Sequence, residues 1–248
     1  MGKKVKPAQI SGIQETKVPE RTINGIPTLY CFETCPFCFK VKALLGYRGI
    51  SYSKVEVDPM SHSELKWSDW SKVPVFVDLD GTQVNDSNYI LHYIDDTLDS
   101  EFPRHGIDHD QDKWMDFSNS VLGKSLVAVI YSSYFSSLKA LDYVTKVDKF
   151  SFSSRFINKW LGAIIMRLVG RSRAKLFDKK PRENLQYQLD QMASGFKGEY
   201  FGGNKPNGAD FANYGILRSM QDLHGFDILK NHQLVWPWYS RMQNISGI

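Results

Sequence analysis

Cysteine is scarce and gathered in one place: the 248-residue chain has three, Cys31, Cys35 and Cys38, within eight positions. An odd number bunched so closely cannot staple a fold, which excludes the disulfide scaffold of small secreted domains. The expectation is a reduced thiol site in a cytoplasmic protein. Excess charge is also small, with 31 Lys and Arg against 27 Asp and Glu, and no basic block exceeds Lys3-Lys4-Val5-Lys6. No nucleic-acid partner is expected from such a balance. Long apolar runs are missing; the nearest, Trp160 to Gly170, is short and broken by Arg167. No apolar stretch precedes Ile26, so no signal peptide is expected, and Lys6 stands where N-myristoylation needs Ser or Thr. There is no second cysteine pair, and the six histidines show no ligand spacing, so no metal site is expected. What remains, 42% hydrophobic and 23% charged residues, suits a folded chain with a substantial core.

Residues 1–23 are polar and aperiodic and read as an N-terminal arm. Ile26 to Phe32 is short, apolar and rich in strand formers. Pro36 then suits a helix start, because it has no amide proton to leave unpaired. Phe37, Val41, Leu44 and Leu45 recur at helical spacing, and Gly46 and Gly49 mark the exit. Ser51 to Val57 alternates like a strand, Ser63 to Trp70 suits a short helix, and Val73 to Val77 is a further strand. Asp80-Gly81 signals a hairpin turn into Thr82 to Val84. Asp86 or Ser87 caps a helix carrying Ile90, Leu91 and Ile94.

The order β-α-β-α-β-β-α over residues 24–98 is that of a thioredoxin-like α/β domain. Residues 99–109 read as a linker. Strand signals then fade, and residues 110–248 read as an all-α C-terminal domain, the arrangement of glutathione transferases. Helices are expected near 110–123, 124–136, 150–170, 181–194, 207–223 and 235–245. Asn207 caps one of these, with Asp210 placed to reach back to the cap amide.

The strongest chemical signal is Cys35-Pro36-Phe37-Cys38 between a strand and a helix. A thiol at a helix N-terminus faces free amides and the positive end of the dipole, both of which favour the thiolate. Cys38 follows one turn later on the same face, where it can resolve a mixed disulfide; Cys35 and Cys38 are the candidate catalytic residues. Lys72-Val73-Pro74 is the second element, since the residue before such a proline can offer its backbone to a peptide-like ligand. The third is Asn85-Asp86-Ser87, where a helix N-terminus suits a carboxylate and Asp86 suits an ammonium. Phe37, Lys72, Val73, Pro74, Asp86 and Ser87 are the candidate ligand-binding residues. Cys31 reads as an inert core thiol, with Tyr30 and Phe32 on the opposite strand face. His224 and His232, near helix ends, are expected to be solvated.

Leu29-Tyr30-Cys31-Phe32-Glu33-Thr34-Cys35-Pro36-Phe37-Cys38, Lys72-Val73-Pro74 and Asn85-Asp86-Ser87 resemble the membrane-associated prostaglandin E synthase type 2 family. So do Phe201 to Asp210, Tyr214 to Arg218, and Trp236-Pro237-Trp238-Tyr239. The resemblance implies a homodimer of glutathione-transferase-like subunits with peripheral membrane association. It implies glutathione at Val73, Asp86 and Ser87, a catalytic Cys35, and haem held through the glutathione sulfur. The activity implied is isomerisation of prostaglandin H to prostaglandin E, or haem-linked breakdown of the endoperoxide. Where the family usually has a tyrosine three residues before the reactive cysteine, this chain has Phe32, which keeps the ring and loses the donor. Two alternatives stand beside this reading: a glutaredoxin-type thiol–disulfide oxidoreductase, and a non-enzymatic binder of glutathione, haem or an iron–sulfur cluster.

Overall fold

The computed structural model describes residues 12–59, 61–97, 106–142 and 152–248. A five-stranded mixed sheet runs in the order β1-β5-β4-β2-β3, with β1 Gly12–Lys17, β2 Thr28–Cys31, β3 Ser53–Glu56, β4 Val75–Val77 and β5 Thr82–Asn85. Strand β2 pairs parallel to the edge strand β3, Leu29 opposite Lys54, and antiparallel to β4, Leu29 opposite Phe76. Parallel neighbours need a crossover. Helix α1, Pro36–Tyr47, supplies it and so places its N-terminus at the end of β2. The β4–β5 hairpin turns at Asp80 and Gly81, where φ is +81°. Helix α2, Ser87–Asp96, follows directly.

Part of the expected polar arm is β1. Residues 12–17 lie antiparallel on β5, Gly12 opposite Asn85 and Lys17 opposite Thr82. Pattern reading misses such a strand because its one large apolar side chain, Ile13, is 60% exposed. Its pairing comes from the backbone edge that β5 offers. The rest of the arm before residue 12, and most of the expected linker, lie outside the described residues. Among the described residues between β3 and β4, only Ser63–Leu65 is helical, and as a single 3-10 turn. Trp67 and Trp70 are spent on packing there, Trp67 with its ring 5.4 Å from Tyr30.

The C-terminal half is helical: α3 His109–Phe117, α4 Gly123–Ile130, α5 Tyr134–Ala140, α6 Phe152–Ala174, α7 Pro181–Ala193, α8 Gly208–Arg218, α9 Phe226–Lys230 and α10 Val235–Ser246. A π-turn, Ser118–Leu122, joins α3 to α4. The helix expected over 124–136 breaks at Tyr131 to Ser133, because Ser133 caps α5 in a reciprocal pair with Ser136. No described helix is long and apolar enough by itself to cross a membrane.

One core joins the two halves. Leu29, Cys31, Leu44, Phe76, Ile90 and Leu91 from the sheet side are continuous with Phe211, Tyr214, Ile216 and Trp238. Helix α1 lies directly on α8, and Gly215 permits the approach. The Phe201–Asp210 stretch is a structural cage. Asp210 accepts from the backbone N–H groups of Asn207 (2.9 Å), Phe201 (3.1 Å) and Gly202 (3.4 Å) and from Trp238 Nε1 (2.7 Å). Burial pushes its carboxyl up to about 6 despite those donors. His232, expected at the surface, is 6% exposed. It sits 3.1 Å from Asp190 and its Nδ1 accepts from Val235 N–H, because α10 folds back over α7. His224 is exposed.

Candidate active site

Cys35 is the N-cap residue of α1, with extended backbone (φ −70°, ψ 123°), and Pro36 opens the helix. Cys35 is half-buried, whereas Cys31 and Cys38 are fully buried. A hydrogen bond from the Cys38 thiol lowers the Cys35 pKa. Burial opposes this, and the backbone N–H groups of Cys38 and Phe37 and the Lys42 ammonium add to the lowering. Burial drives Cys38 well above the usual thiol range, and its hydrogen bonds with Cys31 and Cys35 push the same way. The pair is therefore polarised: an accessible thiol held toward its thiolate, backed by a buried thiol that keeps its proton and donates to it.

Two cavities adjoin at Phe37, Lys72 and Val73, and Cys35 lines the larger of them. One, of about 300 Å³, is lined by Phe37, Trp70, Lys72, Val73, Pro74, Asp86, Ser87 and Asn119. The other, of about 600 Å³ and mostly apolar, has Phe32, Cys35, His62, Tyr131, Ile165 and Met166 in its wall. Phe37, Lys72 and Val73 belong to both. All six candidate ligand-binding residues thus fall on one cleft. Cys38 lines neither.

The cleft's chemistry is legible atom by atom. The Val73–Pro74 bond is cis, and among the described residues neither the N–H nor the carbonyl of Val73 has a backbone partner. That leaves one open rung for an extended peptide backbone. Asp86 has φ +70°, in the region that favours glycine, and its carboxylate accepts from Asn88 N–H at 2.9 Å. Ser87, the first residue of α2, adds its hydroxyl and a free first-turn amide. The site can hold an extended backbone, a carboxylate and an ammonium near a thiol of lowered pKa.

Lys40 and Asn119 were not among the residues singled out from sequence. Lys40 is fully buried, and its Nζ donates to Asn88 Oδ1 (3.2 Å), Ser118 Oγ (2.6 Å) and Asn119 Oδ1. Asn119 in turn lines the cleft. A signal was present: Lys40 falls on the apolar stripe of α1, between Phe37 and Leu44. Nothing local marks Asn119, which the π-turn brings in. Burial holds the Lys40 ammonium down at about 7, against the pull of Asp86, Asp116 and Cys35. An unfolded chain keeps this proton to about pH 10.4. The unfolded state therefore binds more protons between the two values, and stability should rise with pH through that window by up to about 1.4 kcal/mol per unit. Urea unfolding at several pH values above 7 checks this. Lys40→Met should flatten the slope, and an unchanged slope would show that Lys40 does not titrate there.

The glutathione S-transferase N-terminal domain family matches residues 29–101. Prostaglandin E synthase 2 of Mus musculus is 30% identical over 266 residues, covering 87% of this chain and 69% of that protein. Its counterpart in Danio rerio is 29% identical over 269 residues, covering 87% and 70%. The chain belongs to the prostaglandin E synthase 2 family. Solved structures agree on the fold of this family member. Salmonella typhimurium glutaredoxin 2, crystallised with glutathione, superposes with a TM-score of 0.54 at 14% identity, covering 90% of this chain and 95% of that one. Populus trichocarpa glutathione transferase F2 gives 0.58 at 15% identity, covering 88% and 93%. The α/β thioredoxin-like domain followed by an all-α glutathione-transferase-like part, expected from the element order, is the fold observed.

Proposed function

We propose that this protein is a glutathione-dependent enzyme that converts a lipid endoperoxide to a hydroxyketone, the prostaglandin H to prostaglandin E rearrangement. The observation that carries the reading is Cys35, a thiol of lowered pKa in the wall of an apolar cavity of about 600 Å³ that shares Phe37, Lys72 and Val73 with the cleft of Asp86 and Ser87. Family membership supports the reaction class. Glutathione suits the cleft: Val73 offers the open rung, Asp86 an anion for the ammonium, and Ser87 at the start of α2 a carboxylate site. When bound, glutathione supplies a second thiol to the junction.

The chain's own residues account for the chemistry. The Cys35 thiolate attacks one peroxide oxygen, so an S–O bond forms as the O–O bond breaks, and the released alkoxide takes a proton. Loss of the hydrogen on the carbon bearing the sulfur-bound oxygen then cleaves S–O, leaves the ketone and returns the thiolate. No external oxidant or reductant is consumed. The apolar wall of Phe32, Tyr131, Ile165 and Met166 keeps water from this sequence. The same cavity has room for a flat macrocycle, and Lys72 in its wall suits an acidic edge. Haem there would supply iron chemistry for endoperoxide breakdown. Homodimerisation and a cytoplasmic location belong to the same proposal, checked by sedimentation equilibrium and by cell fractionation.

Phe32 lines the cavity with Cys35, its ring 5.9 Å from His62. A hydroxyl there would restore the donor that Phe32 lacks. Phe32→Tyr is expected to raise haem-free, thiol-dependent ketone formation from prostaglandin H by about 10²-fold. No such product from either wild type or this variant would sink the isomerase reading.

The polarised Cys35–Cys38 pair favours a second reading, disulfide exchange. Cys35 attacks a glutathione mixed disulfide, the substrate leaves as its thiolate, and a second glutathione frees Cys35 as oxidised glutathione forms. Reductase activity that survived Cys35→Ser would rule this out.

A further inference from the structure

His62 stands out by its backbone, its neighbours and its place. It precedes the 3-10 turn Ser63–Leu65 with φ +47° and ψ 35°, the left-handed region that residues other than glycine uncommonly occupy. Two hydrogen bonds hold it there: His62 N–H donates to the Asp58 carbonyl (2.9 Å), and the His62 carbonyl accepts from Leu65 N–H (3.0 Å). Backbone of this kind gathers at functional sites. The imidazole lies 5.9 Å from the ring of Phe32, and Cys35 N–H donates to the Phe32 carbonyl at 3.3 Å. His62 and Cys35 thus wall the same apolar cavity. Among the described residues the imidazole has no hydrogen-bond or ion-pair partner. The acids of its own loop are turned to other donors. Glu64 accepts from Asp58 N–H and from the Ser63 hydroxyl, each at 2.9 Å, and Asp58 Oδ1 accepts from Ser61 N–H at 2.9 Å.

The rearrangement releases an alkoxide, which needs a proton, and then strips a hydrogen from carbon, which needs a base. Besides Cys35, the titratable side chains in the cavity wall are His62, Lys72 and Tyr131. The Lys72 ammonium lies over the Trp70 ring, 5.4 Å from its centroid. An ammonium and a phenol ordinarily keep their protons at neutral pH, whereas imidazole both gives and takes one there. An imidazolium that protonates the alkoxide is left as the neutral imidazole that the second step requires. The proton count then closes with no net gain or loss. The imidazole also packs on Phe32, the one ring beside Cys35 that lacks a hydroxyl donor.

We propose that His62 is the catalytic acid and base of the endoperoxide rearrangement. As imidazolium it protonates the alkoxide released when Cys35 breaks the O–O bond, and as imidazole it removes the hydrogen from the carbon bearing the sulfur-bound oxygen. The assignment rests on the isomerase reading above. The test is ketone formation from prostaglandin H by the haem-free full chain with glutathione. His62→Gln should lower it by about 10²-fold or more, with Cys35 alkylation and glutathione binding unchanged. His62→Gly should be equally slow, since glycine accepts the left-handed backbone and removes only the ring, and added imidazole should restore its turnover. His224→Gln, at an exposed histidine, should match wild type. A wild-type rate in His62→Gln, or no rescue of His62→Gly by imidazole, overturns the assignment and leaves the isomerase reading standing. No ketone from wild type sinks that reading and the assignment with it.

Discussion

Replacing Cys35 by serine is expected to lower thiol-dependent turnover by about 10³-fold or more, with glutathione binding and unfolding free energy little changed. The expectation rests on ionisation. The cysteine is held toward its thiolate by the Cys38 thiol, and further by the amides at the start of α1 and the Lys42 ammonium. The same donors cannot bring a serine hydroxyl to alkoxide at neutral pH. The residue is half-buried in the wall of the apolar cavity, so serine fits without repacking. The companion measurement is the pH profile of iodoacetamide alkylation. Cys38→Ala removes the leading hydrogen bond to the Cys35 sulfur, and the inflection for Cys35 should move to higher pH. An inflection that stays put would mean that the helix N-terminus and Lys42 suffice, and that Cys38 is a packing residue.

Gly215→Ala should destabilise the protein by about 3 kcal/mol or more, at the upper end of what overpacking costs. A Cβ on Gly215 would lie 2.3 Å from the Lys40 backbone nitrogen and 2.5 Å from its Cα. Those are backbone atoms of α1, so no side-chain rotation relieves the clash. Relief requires α1 to move away from α8, and α1 carries Cys35 at its first turn and the buried Lys40 in its middle. Two readouts should therefore change together: a lower urea midpoint and a slower alkylation of Cys35. A midpoint within about 0.5 kcal/mol of wild type would show that the two helices are not locked at this contact.

How far each feature is legible depends on the range of the interactions that make it. The placement of Cys35 and Pro36 is a matter of neighbours: an apolar strand stops, a proline opens a helix, and the residue before it becomes the cap. Asn207 and Asp210 lie three residues apart and form their reciprocal cap as spacing requires. Strand β1 is the opposite case, since its residues carry little apolar alternation and acquire a partner only from β5, seventy positions on. His232 was misplaced for the same reason: its surroundings are set by α7, forty-two residues away at Asp190.

The sequence by itself determined the thioredoxin-like order, the cap position of the reactive thiol, and the residues that later line one cleft, because each depends on propensities and spacings within a turn or a hairpin. Only tertiary structure decided that Cys38 is sealed behind Cys35, that Lys40 reaches Asn119, and that α6 walls the apolar cavity. Those facts come from burial and from contacts between distant elements, the Lys40 hydrogen bonds alone spanning 48 to 79 positions of chain. Such contacts are settled by how whole helices pack, which no short window of residues specifies.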